Sequence, residues 1–223
     1  MRIAVIGGHG KIAMSLTPRL VDAGHEVSAL IRDPDQSDDV ANAGGAPVIA
    51  DVEHLDVEGI AQRLAGHDAV VWCAGAGGGD PERTYAVDRD AAVRSMDAAA
   101  SAGVGRYVML SYFGAGPDHG VPSDSSFFAY AEAKGEADEH LRATDLDWTI
   151  VGPGALTDDA GAGQIEVAGS DSETEADSVA RDDVAAVIAA VIERPGTAGA
   201  TIGFNSGSTP IDQAIESVAT RSG

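Results

Sequence analysis

The chain has 223 residues, enough for one α/β domain with a small appended lobe and too few for two full-sized domains. Asp and Glu number 36 against 14 Lys and Arg, a formal net charge of −22, which argues against binding to nucleic acid or to anionic membranes. No apolar run approaches the ~20 residues of a membrane helix. Met1 leads directly into a predicted strand, leaving no space for a signal peptide. We therefore expect a cytoplasmic protein.

The composition carries two further signals. The acidic, lysine-poor surface is typical of a salt-rich cytosol, where molar salt screens repulsion to within ~3 Å. The codon bias of a GC-rich genome explains it equally well, and both explanations stay open. The single cysteine, Cys73, excludes an internal disulfide and is predicted to pack at a strand end rather than act as a nucleophile.

Short apolar runs alternate with helical stretches along the first two thirds of the chain. Strands are predicted at Arg2–Ile6, Glu26–Ile31, Pro47–Ala50, Ala69–Cys73, Arg106–Ser111 and Asp147–Val151. Helices are predicted at Lys11–Ala23, Val57–Leu64, Thr84–Ala102 and Ala131–Ala143. Nearly continuous apolar strands are typical of strands covered on both faces. The alternation therefore predicts an α/β fold, a Rossmann-type doubly wound parallel sheet.

The last third departs from this pattern. Residues 152–178 are rich in Gly, Ala, Asp, Glu and Ser and too long for a simple connection, so we expect a functional loop or lid. A helix at Arg181–Glu193, a strand near Ala200–Phe204 and a last helix from Pro210 are predicted to follow. The sequence thus predicts one domain over residues 1–223, in which segments 152–178 and 195–223 form a small substrate-side lobe.

A glycine-rich turn follows the first predicted strand. Gly7, Gly10 and Ala13 have the spacing of a variant dinucleotide fingerprint. Glycine permits the tight turn and the close approach of a pyrophosphate, and a small third residue lets the helix pack on the strand. The helix N-terminus that follows attracts anions. We predict a nucleotide site here; the alternative is a tight turn with nothing bound.

The residue after the second strand bears on the choice of cofactor. An acidic side chain there would bond the ribose 2′-hydroxyl of NAD, whereas arginine accommodates the 2′-phosphate of NADP. Arg32 therefore favours NADP, while the adjacent Asp33 leaves NAD open. Small or polar residues at the ends of the third and fourth strands complete the predicted cofactor path: Asp51, Val52, Ala74 and Gly75. We expect the carboxylate of Asp51 to accept a hydrogen bond from the adenine amino group.

Ser111, Tyr130 and Lys134 form a candidate catalytic group. Tyr130 and Lys134 lie one helical turn apart and share a face. A neighbouring ammonium is expected to lower the pKa of a phenol from about 10 toward neutrality, which suits proton transfer. Ser111 ends the fifth strand and is predicted to hold a carbonyl oxygen for hydride transfer. The alternative is an amphipathic helix with a buried aromatic and a solvated lysine.

In this order the motifs resemble the atypical NAD(P)-binding branch of the short-chain dehydrogenase/reductase superfamily, with its NmrA-like, flavin/biliverdin reductase-like and sugar-epimerase-related members. The resemblance spans nearly the whole chain and is most specific from Tyr130 to Thr157. It implies that Tyr130 is a general acid/base, that Ser111 is its partner and that Lys134 binds the nicotinamide ribose. It also implies that four residues hold the pyrophosphate: Gly7, Gly10, Lys11 and Ile12. Pro153 and Gly154 are implied to lie near the nicotinamide end of the cofactor.

We therefore predict an NAD(P)H-dependent oxidoreductase, with NADP favoured, that reduces a small carbonyl or quinone-like molecule. An NmrA-type redox sensor that binds NAD(P) without catalysis remains open. So does a sugar epimerase or dehydratase, which would use the same three residues but need a larger substrate lobe. No metal site is predicted, because the histidines show no ligand spacing, and the sequence carries no signal for oligomeric state. The apolar residues available for a substrate pocket are Tyr112, Phe113, Phe127, Phe128 and Leu156.

Overall fold

A computed structural model describes residues 1–77, 80–168 and 175–220. The strands are β1 (Arg2–Ile6), β2 (Glu26–Ile31), β3 (Ala46–Ile49), β4 (Ala69–Trp72), β5 (Arg106–Leu110), β6 (Asp147–Pro153), β7 (Ala155–Thr157), β8 (Gln164–Val167), β9 (Ser178–Ala180), β10 (Ala200–Ser206) and β11 (Thr209–Pro210). The helices are α1 (Lys11–Asp22), α2 (Ser37–Asn42), α3 (Val57–Leu64), α4 (Pro81–Thr84), α5 (Ala92–Ser101), α6 (Phe128–Arg142), α7 (Arg181–Ile192) and α8 (Ile211–Ala219). A π-helical segment, Tyr85–Ala91, joins α4 to α5.

The main sheet has the strand order β11-β8-β10-β6-β5-β4-β1-β2-β3. All neighbouring pairs from β10 to β3 are parallel, whereas β8 pairs antiparallel with both β10 and β11 at the edge. The order β3-β2-β1-β4-β5-β6 is the Rossmann arrangement, which opens a crevice at the carboxyl ends of the strands where the order reverses. The predicted fold class is confirmed.

Helices cover both faces of this sheet, and strand β1 shows why. Ile3 and Val5 belong to the apolar cluster that includes helices α1, α7 and α8. Ala4 and Ile6 belong to the cluster on the opposite face, with α3 and α5. Successive side chains of a strand point to opposite faces, and here both faces are buried. The strand is therefore apolar throughout rather than alternating.

Most predicted element boundaries differ from the structure by only a few residues. Helix α6 begins at Phe128, three residues before the predicted start. The predicted helix Thr84–Ala102 corresponds to α4, the π-helical segment and α5 in succession. Helix α2 was missed, because Val40 is its one buried residue and so short a segment shows no helical periodicity. None of the described helices is long and apolar enough to cross a membrane.

The predicted loop over residues 152–178 is wrong in its described part. Strand β6 continues through Pro153, and β7 and β8 follow. Strand β7 pairs in parallel with β9 as a separate two-stranded sheet, while β8 joins the edge of the main sheet. Strands of three or four residues are too short for their side-chain alternation to be recognised in sequence. Residues 78–79, 169–174 and 221–223, which include parts of the predicted lobe, lie outside the described residues.

Candidate functional site

A cleft runs along the carboxyl ends of the parallel strands. It consists of two adjoining cavities of about 290 and 480 Å³, which we call the β2 cavity and the β5 cavity. The β2 cavity lies at the ends of β2 and β3, and the β5 cavity lies at the end of β5 beside α6. Four residues line both cavities and make the cleft continuous: Gly10, Cys73, Ala74 and Gly75.

The turn after β1 lies at the junction of the two cavities. Gly7 has φ of +80°, and a Cβ there would lie 2.6 Å from the backbone N and Cα of Ala74. A Cβ on Gly8 would lie 2.5 Å from the Cβ of Ala29. The amides of Gly7 and Gly8 both donate to the carbonyl of Leu30, at 3.1 and 2.9 Å. The turn is thus held against the ends of β2 and β4, and only glycine fits at position 7.

Helix α1 begins immediately after this turn, with its amides facing the cleft. Its N-cap residue, Gly10, provides no side-chain hydrogen bond, so the first-turn N–H groups have no capping side chain. Gly10, Lys11 and Ile12 line the β5 cavity. An uncapped N-terminus and the positive end of the helix dipole suit a diphosphate. The predicted pyrophosphate contacts of Gly7, Gly10, Lys11 and Ile12 stay a prediction.

Lys11 is also part of a charge cluster at the rim. Its Nζ lies 2.7 Å from Oδ2 of Asp158, and Nη1 of Arg181 lies 2.7 Å from Oδ1 of the same carboxylate. The hydrogen bond from Lys11, together with the charge of Arg181, holds the pKa of Asp158 below its usual range. The cluster joins the start of α1 to the segment after β7 and to the start of α7. Lys11 and Arg181 thus provide two cations at the rim of the cleft, near the N-terminus of α1 that suits a diphosphate.

The β2 cavity contains two arginines that share one carboxylate. Nη1 of Arg32 lies 3.9 Å from Oε2 of Glu53, and Nε of Arg83 donates to the same oxygen at 3.3 Å. Arg83 also donates to the carbonyl of Ala76. The side chain of Arg32 is 59% exposed and is therefore accessible to a ligand. Arg83 and Glu53 were missed in the sequence, since nothing local connects them to Arg32.

Asp51 and Val52 line the β2 cavity as predicted, together with Ala74 and Gly75. The carboxylate of Asp51 is turned toward its own segment. Oδ1 accepts from the amide of Glu53 at 3.2 Å, and Oδ2 lies 3.0 Å from Nδ1 of His54. The predicted contact of Asp51 with an adenine amino group stays a prediction. The adenine would have to share this carboxylate with the Glu53 amide and His54.

The structure brings Ser111, Tyr130 and Lys134 together in the lining of the β5 cavity. Lys134 is 1% exposed, and its Nζ donates to the carbonyl of Leu110 at 2.7 Å. The Ser111 hydroxyl donates to Oδ2 of Asp138 at 2.6 Å. The alternative of a solvated lysine on an amphipathic helix is therefore wrong.

The pKa of Tyr130 departs from the sequence prediction. Burial and, after it, the carboxylates of Asp88 and Asp138 raise this pKa above its ordinary value. The prediction that Lys134 lowers it is thus wrong, because burial of the phenol, followed by the charges of the two carboxylates, sets the direction of the shift. The ring of Tyr130 packs against Phe127 and Tyr112, with centroids 5.3 and 5.6 Å away. Its hydroxyl stays protonated at neutral pH and is suited to donating a proton.

Two buried carboxylates beside Lys134 were missed. Asp88, in the π-helical segment, is 2% exposed and accepts the amide of Ala76 at 3.0 Å. Asp138 is fully buried. Burial raises the pKa of each, and the charge of Lys134 partly opposes that rise. Asp138 follows Lys134 by four residues, a spacing that would have identified it, whereas only the tertiary structure brings Asp88 here.

Pro153 and Gly154 line neither cavity in the described structure. Both are buried, and their backbone groups bond to Phe113 and Phe204. A Cβ on Gly154 would lie 2.1 Å from the carbonyl oxygen of Asp177, so this glycine is required by packing. Their predicted position near the nicotinamide stays a prediction; Leu156 of β7 lines the β5 cavity instead.

Cys73 lies at the end of β4, where the two cavities meet. Burial raises the pKa of its thiol to about 12, with a smaller opposing effect from the charge of Lys134. A thiol with this pKa carries almost no thiolate at neutral pH, which accords with a packing role.

Comparisons with known proteins identify the family of this chain. The profile of a family described as NAD(P)H-binding matches residues 7–195. A Bacillus subtilis protein described as the uncharacterized sugar epimerase YhfK is 32% identical over 219 residues, covering 97% of this chain and 99% of its own. A Bacillus halodurans structure described as a candidate NAD-dependent epimerase/dehydratase has a TM-score of 0.89 at 32% identity, covering 97% of this chain and 99% of its own. The Lactococcus lactis oxidoreductase ylbE has a TM-score of 0.86 at 29% identity, covering 99% of this chain and 97% of its own.

Proposed function

The chain belongs to the NAD(P)H-binding family, in the atypical short-chain dehydrogenase/reductase branch, and we propose that it is an NADP-preferring reductase of a small carbonyl or quinone-like compound. One observation carries the proposal, namely the continuity of the cleft. Arginines lie at one end, an uncapped helix N-terminus at the centre, and a protonated phenol beside a buried ammonium at the other end. This is the order of groups that an extended dinucleotide and a reducible substrate require.

The preference for NADP is supported by the charges of the β2 cavity. Arg32 and Arg83 both approach Glu53, and a 2′-phosphate would offer them a stronger, doubly charged partner. The carboxylate of Glu53 weakens this preference, because it would also accept from the 2′-hydroxyl of NAD. The other carboxylate of this cavity, Asp51, already has partners in its own segment, so the two guanidinium groups beside Glu53 favour the phosphate.

The β5 cavity is suited to proton donation. When bound, the nicotinamide supplies a hydride to the carbonyl carbon. Tyr130, whose raised pKa keeps it neutral, donates its proton to the carbonyl oxygen. Lys134, already held by the carbonyl of Leu110, has further N–H groups for a ribose hydroxyl and stabilises the phenolate that forms. Tyr130 then recovers a proton from water when the product leaves.

The size of the cavity supports a small substrate. About 480 Å³ must hold both the nicotinamide end of the cofactor and the substrate. Phe127 and Leu156 line this cavity and are 43% and 38% exposed, so they offer apolar surface to a ligand. We propose on the same grounds that β7 belongs to a substrate-side lobe, whereas no residue of the described segment 195–220 lines either cavity.

A sugar epimerase or dehydratase is the second candidate, because relatives from two Bacillus species carry such descriptions. It would use Ser111, Tyr130 and Lys134 for a transient oxidation. The two functions differ in what happens to the cofactor: a reductase consumes NADPH, whereas an epimerase regenerates its tightly held cofactor in every cycle.

Fluorescence titration with NADPH and NADH, followed by a panel of carbonyls, quinones and sugars, tests the proposal. We expect NADPH to bind more tightly than NADH, and we expect one compound of the panel to be reduced as NADPH is oxidised. Tyr130→Phe should lower the turnover rate by about 10²–10⁴-fold with cofactor affinity unchanged. Tyr85→Phe is the matched control, because Tyr85 bonds Glu132 and lines neither cavity.

Three results would contradict the reductase. If neither NADPH nor NADH binds, the cleft is not a dinucleotide site. Binding without turnover on any substrate favours the redox sensor. Conversion of a sugar without net oxidation of NADPH favours the epimerase. Equal turnover by the wild type and Tyr130→Phe would remove the proposed role of the phenol alone.

A further inference from the structure

The hydroxyl of Ser111 forms a hydrogen bond with a buried carboxyl group on α6. Its Oγ lies 2.6 Å from Oδ2 of Asp138, and the two residues are 4% and 0% exposed. A serine hydroxyl has a single proton. When Asp138 is ionised it accepts that proton, and Ser111 then has only lone pairs to offer a substrate. An ionised Asp138 is therefore incompatible with Ser111 donating to a carbonyl oxygen.

The second oxygen of Asp138 indicates which form is favoured. Oδ1 is buried and has no hydrogen-bond partner among the described residues. An unpartnered carboxylate oxygen in an apolar interior costs more than the carbonyl oxygen of a neutral carboxyl group. If Oδ2 carries a proton and donates it to Ser111, the one atom without a partner is Oδ1, now the carbonyl oxygen of a neutral carboxyl group. Leaving that oxygen unpartnered costs less free energy. Burial accordingly raises the pKa of Asp138.

The charged groups around Asp138 do not reverse this preference. From its own helix, Lys134 and Arg142 favour the carboxylate. Lys134, however, also faces the buried Asp88 in the π-helical segment, so two carboxylates share one buried ammonium. Asp88 has a backbone N–H donor and a second cation, Arg83, which make it the better site for the negative charge.

The aromatic residues near Asp138 provide no compensating charge. Tyr112 follows Ser111, and Tyr130 lies on α6; burial and, to a smaller extent, the charge of Asp138 raise the pKa of both phenols. Both are therefore neutral at physiological pH. The hydroxyl of Tyr112 is buried and has no partner in the described structure. Nothing on this side of Asp138 stabilises its ionised form.

We propose, on the basis of the reductase function above, that Asp138 is a positioning residue that acts in its protonated form. Its carboxyl O–H donates to Oγ of Ser111 and thereby releases the Ser111 proton to hold the substrate carbonyl oxygen. Ionisation of Asp138 turns the Ser111 proton back toward the carboxylate. The reduction rate should follow the protonated fraction of Asp138, falling about tenfold per pH unit once the carboxyl ionises.

Carbon NMR of protein labelled at the aspartate carboxyl carbons tests the protonation state directly, with Asp138→Asn to assign its signal and Asp88→Asn to identify the signal of the other buried carboxyl beside Lys134. The Asp138 carboxyl should titrate well above the ordinary aspartate range. Ser111→Ala should raise its pKa further, because the hydrogen bond from Ser111 favours the carboxylate. In kinetics, Asp138→Asn should abolish any alkaline decrease in rate that coincides with this titration.

Two outcomes would overturn the proposal. One is an Asp138 carboxyl that titrates in the ordinary range, since the carboxylate then holds the Ser111 proton at working pH. The other is an alkaline decrease in rate that Asp138→Asn leaves in place. If the wild type reduces no substrate, the proposed function fails, whereas the carboxyl titration still decides whether Asp138 releases the Ser111 proton.

Discussion

Replacing Lys134 by methionine should destabilise the protein, and more so at alkaline than at acidic pH. The side chain is 1% exposed, and its Nζ donates to the carbonyl of Leu110 at 2.7 Å. Methionine has a similar length, so little cavity forms. The lost charge is the one that lowers the pKa of Asp88 and Asp138. Removing one partner from a buried ionic cluster costs about 3–5 kcal/mol, which we expect at pH 8.

The pH dependence follows from the direction of the carboxyl shifts. Both carboxyls already have folded-state pKa values above their ordinary value, and loss of Lys134 raises them further. An acid with a raised folded-state pKa destabilises the fold progressively as pH rises above its unfolded pKa. At pH 5 a larger fraction of these carboxyls is protonated than at pH 8, so this electrostatic loss is smaller there. The remaining loss there is about 1–3 kcal/mol, from the unsatisfied carbonyl of Leu110.

Urea unfolding of the wild type and Lys134→Met at pH 5 and pH 8 measures the loss in free energy of unfolding at each pH. The other lysine of the chain supplies the control, because Lys11 is 69% exposed and Lys11→Met should leave the free energy of unfolding close to that of the wild type. The reasoning is refuted if the two variants lose the same stability, or if the loss in Lys134→Met is independent of pH.

Three further predictions concern the cleft. Gly7→Ala should lose about 1–3 kcal/mol from its positive φ and, because its Cβ would meet Ala74 at 2.6 Å, should also lose cofactor binding. In Gly24→Ala, where φ is +85° and no atom lies within 4 Å of the added Cβ, we expect the loss of stability without a loss of cofactor affinity. Equal cofactor affinity in Gly7→Ala and Gly24→Ala would argue against cofactor binding at the turn after β1. Arg32→Ala should weaken NADPH about ten- to a hundredfold in a fluorescence titration and leave NADH unchanged, whereas an equal loss for both would exclude a 2′-phosphate contact. Cys73, with a thiol pKa of about 12, should carry roughly one thiolate in ten thousand at pH 8, so its fast alkylation in the folded protein would contradict the buried environment.

The parallel sheet and the turn after β1 could both be predicted from the order of residues. Strand β1 is apolar throughout because both of its faces are buried, and position 7 is glycine because its backbone has φ of +80°. Each of these requirements acts on one residue or on its immediate neighbours, so it is visible in the order of residues. The helical spacing of Tyr130 and Lys134 is local in the same sense, and the structure places both in one cavity.

The electrostatics of the site depend on residues that are far apart in the chain and meet only in the fold. Asp88 reaches Lys134 from another element, and Arg83 and Glu53 meet Arg32 in the same way. The pKa of Tyr130 rises rather than falls because it depends on burial and on every charge within a few ångströms, whatever the separation along the chain. Position along the chain does not encode those distances, so the direction of the shift could be obtained only after folding had brought the charges together.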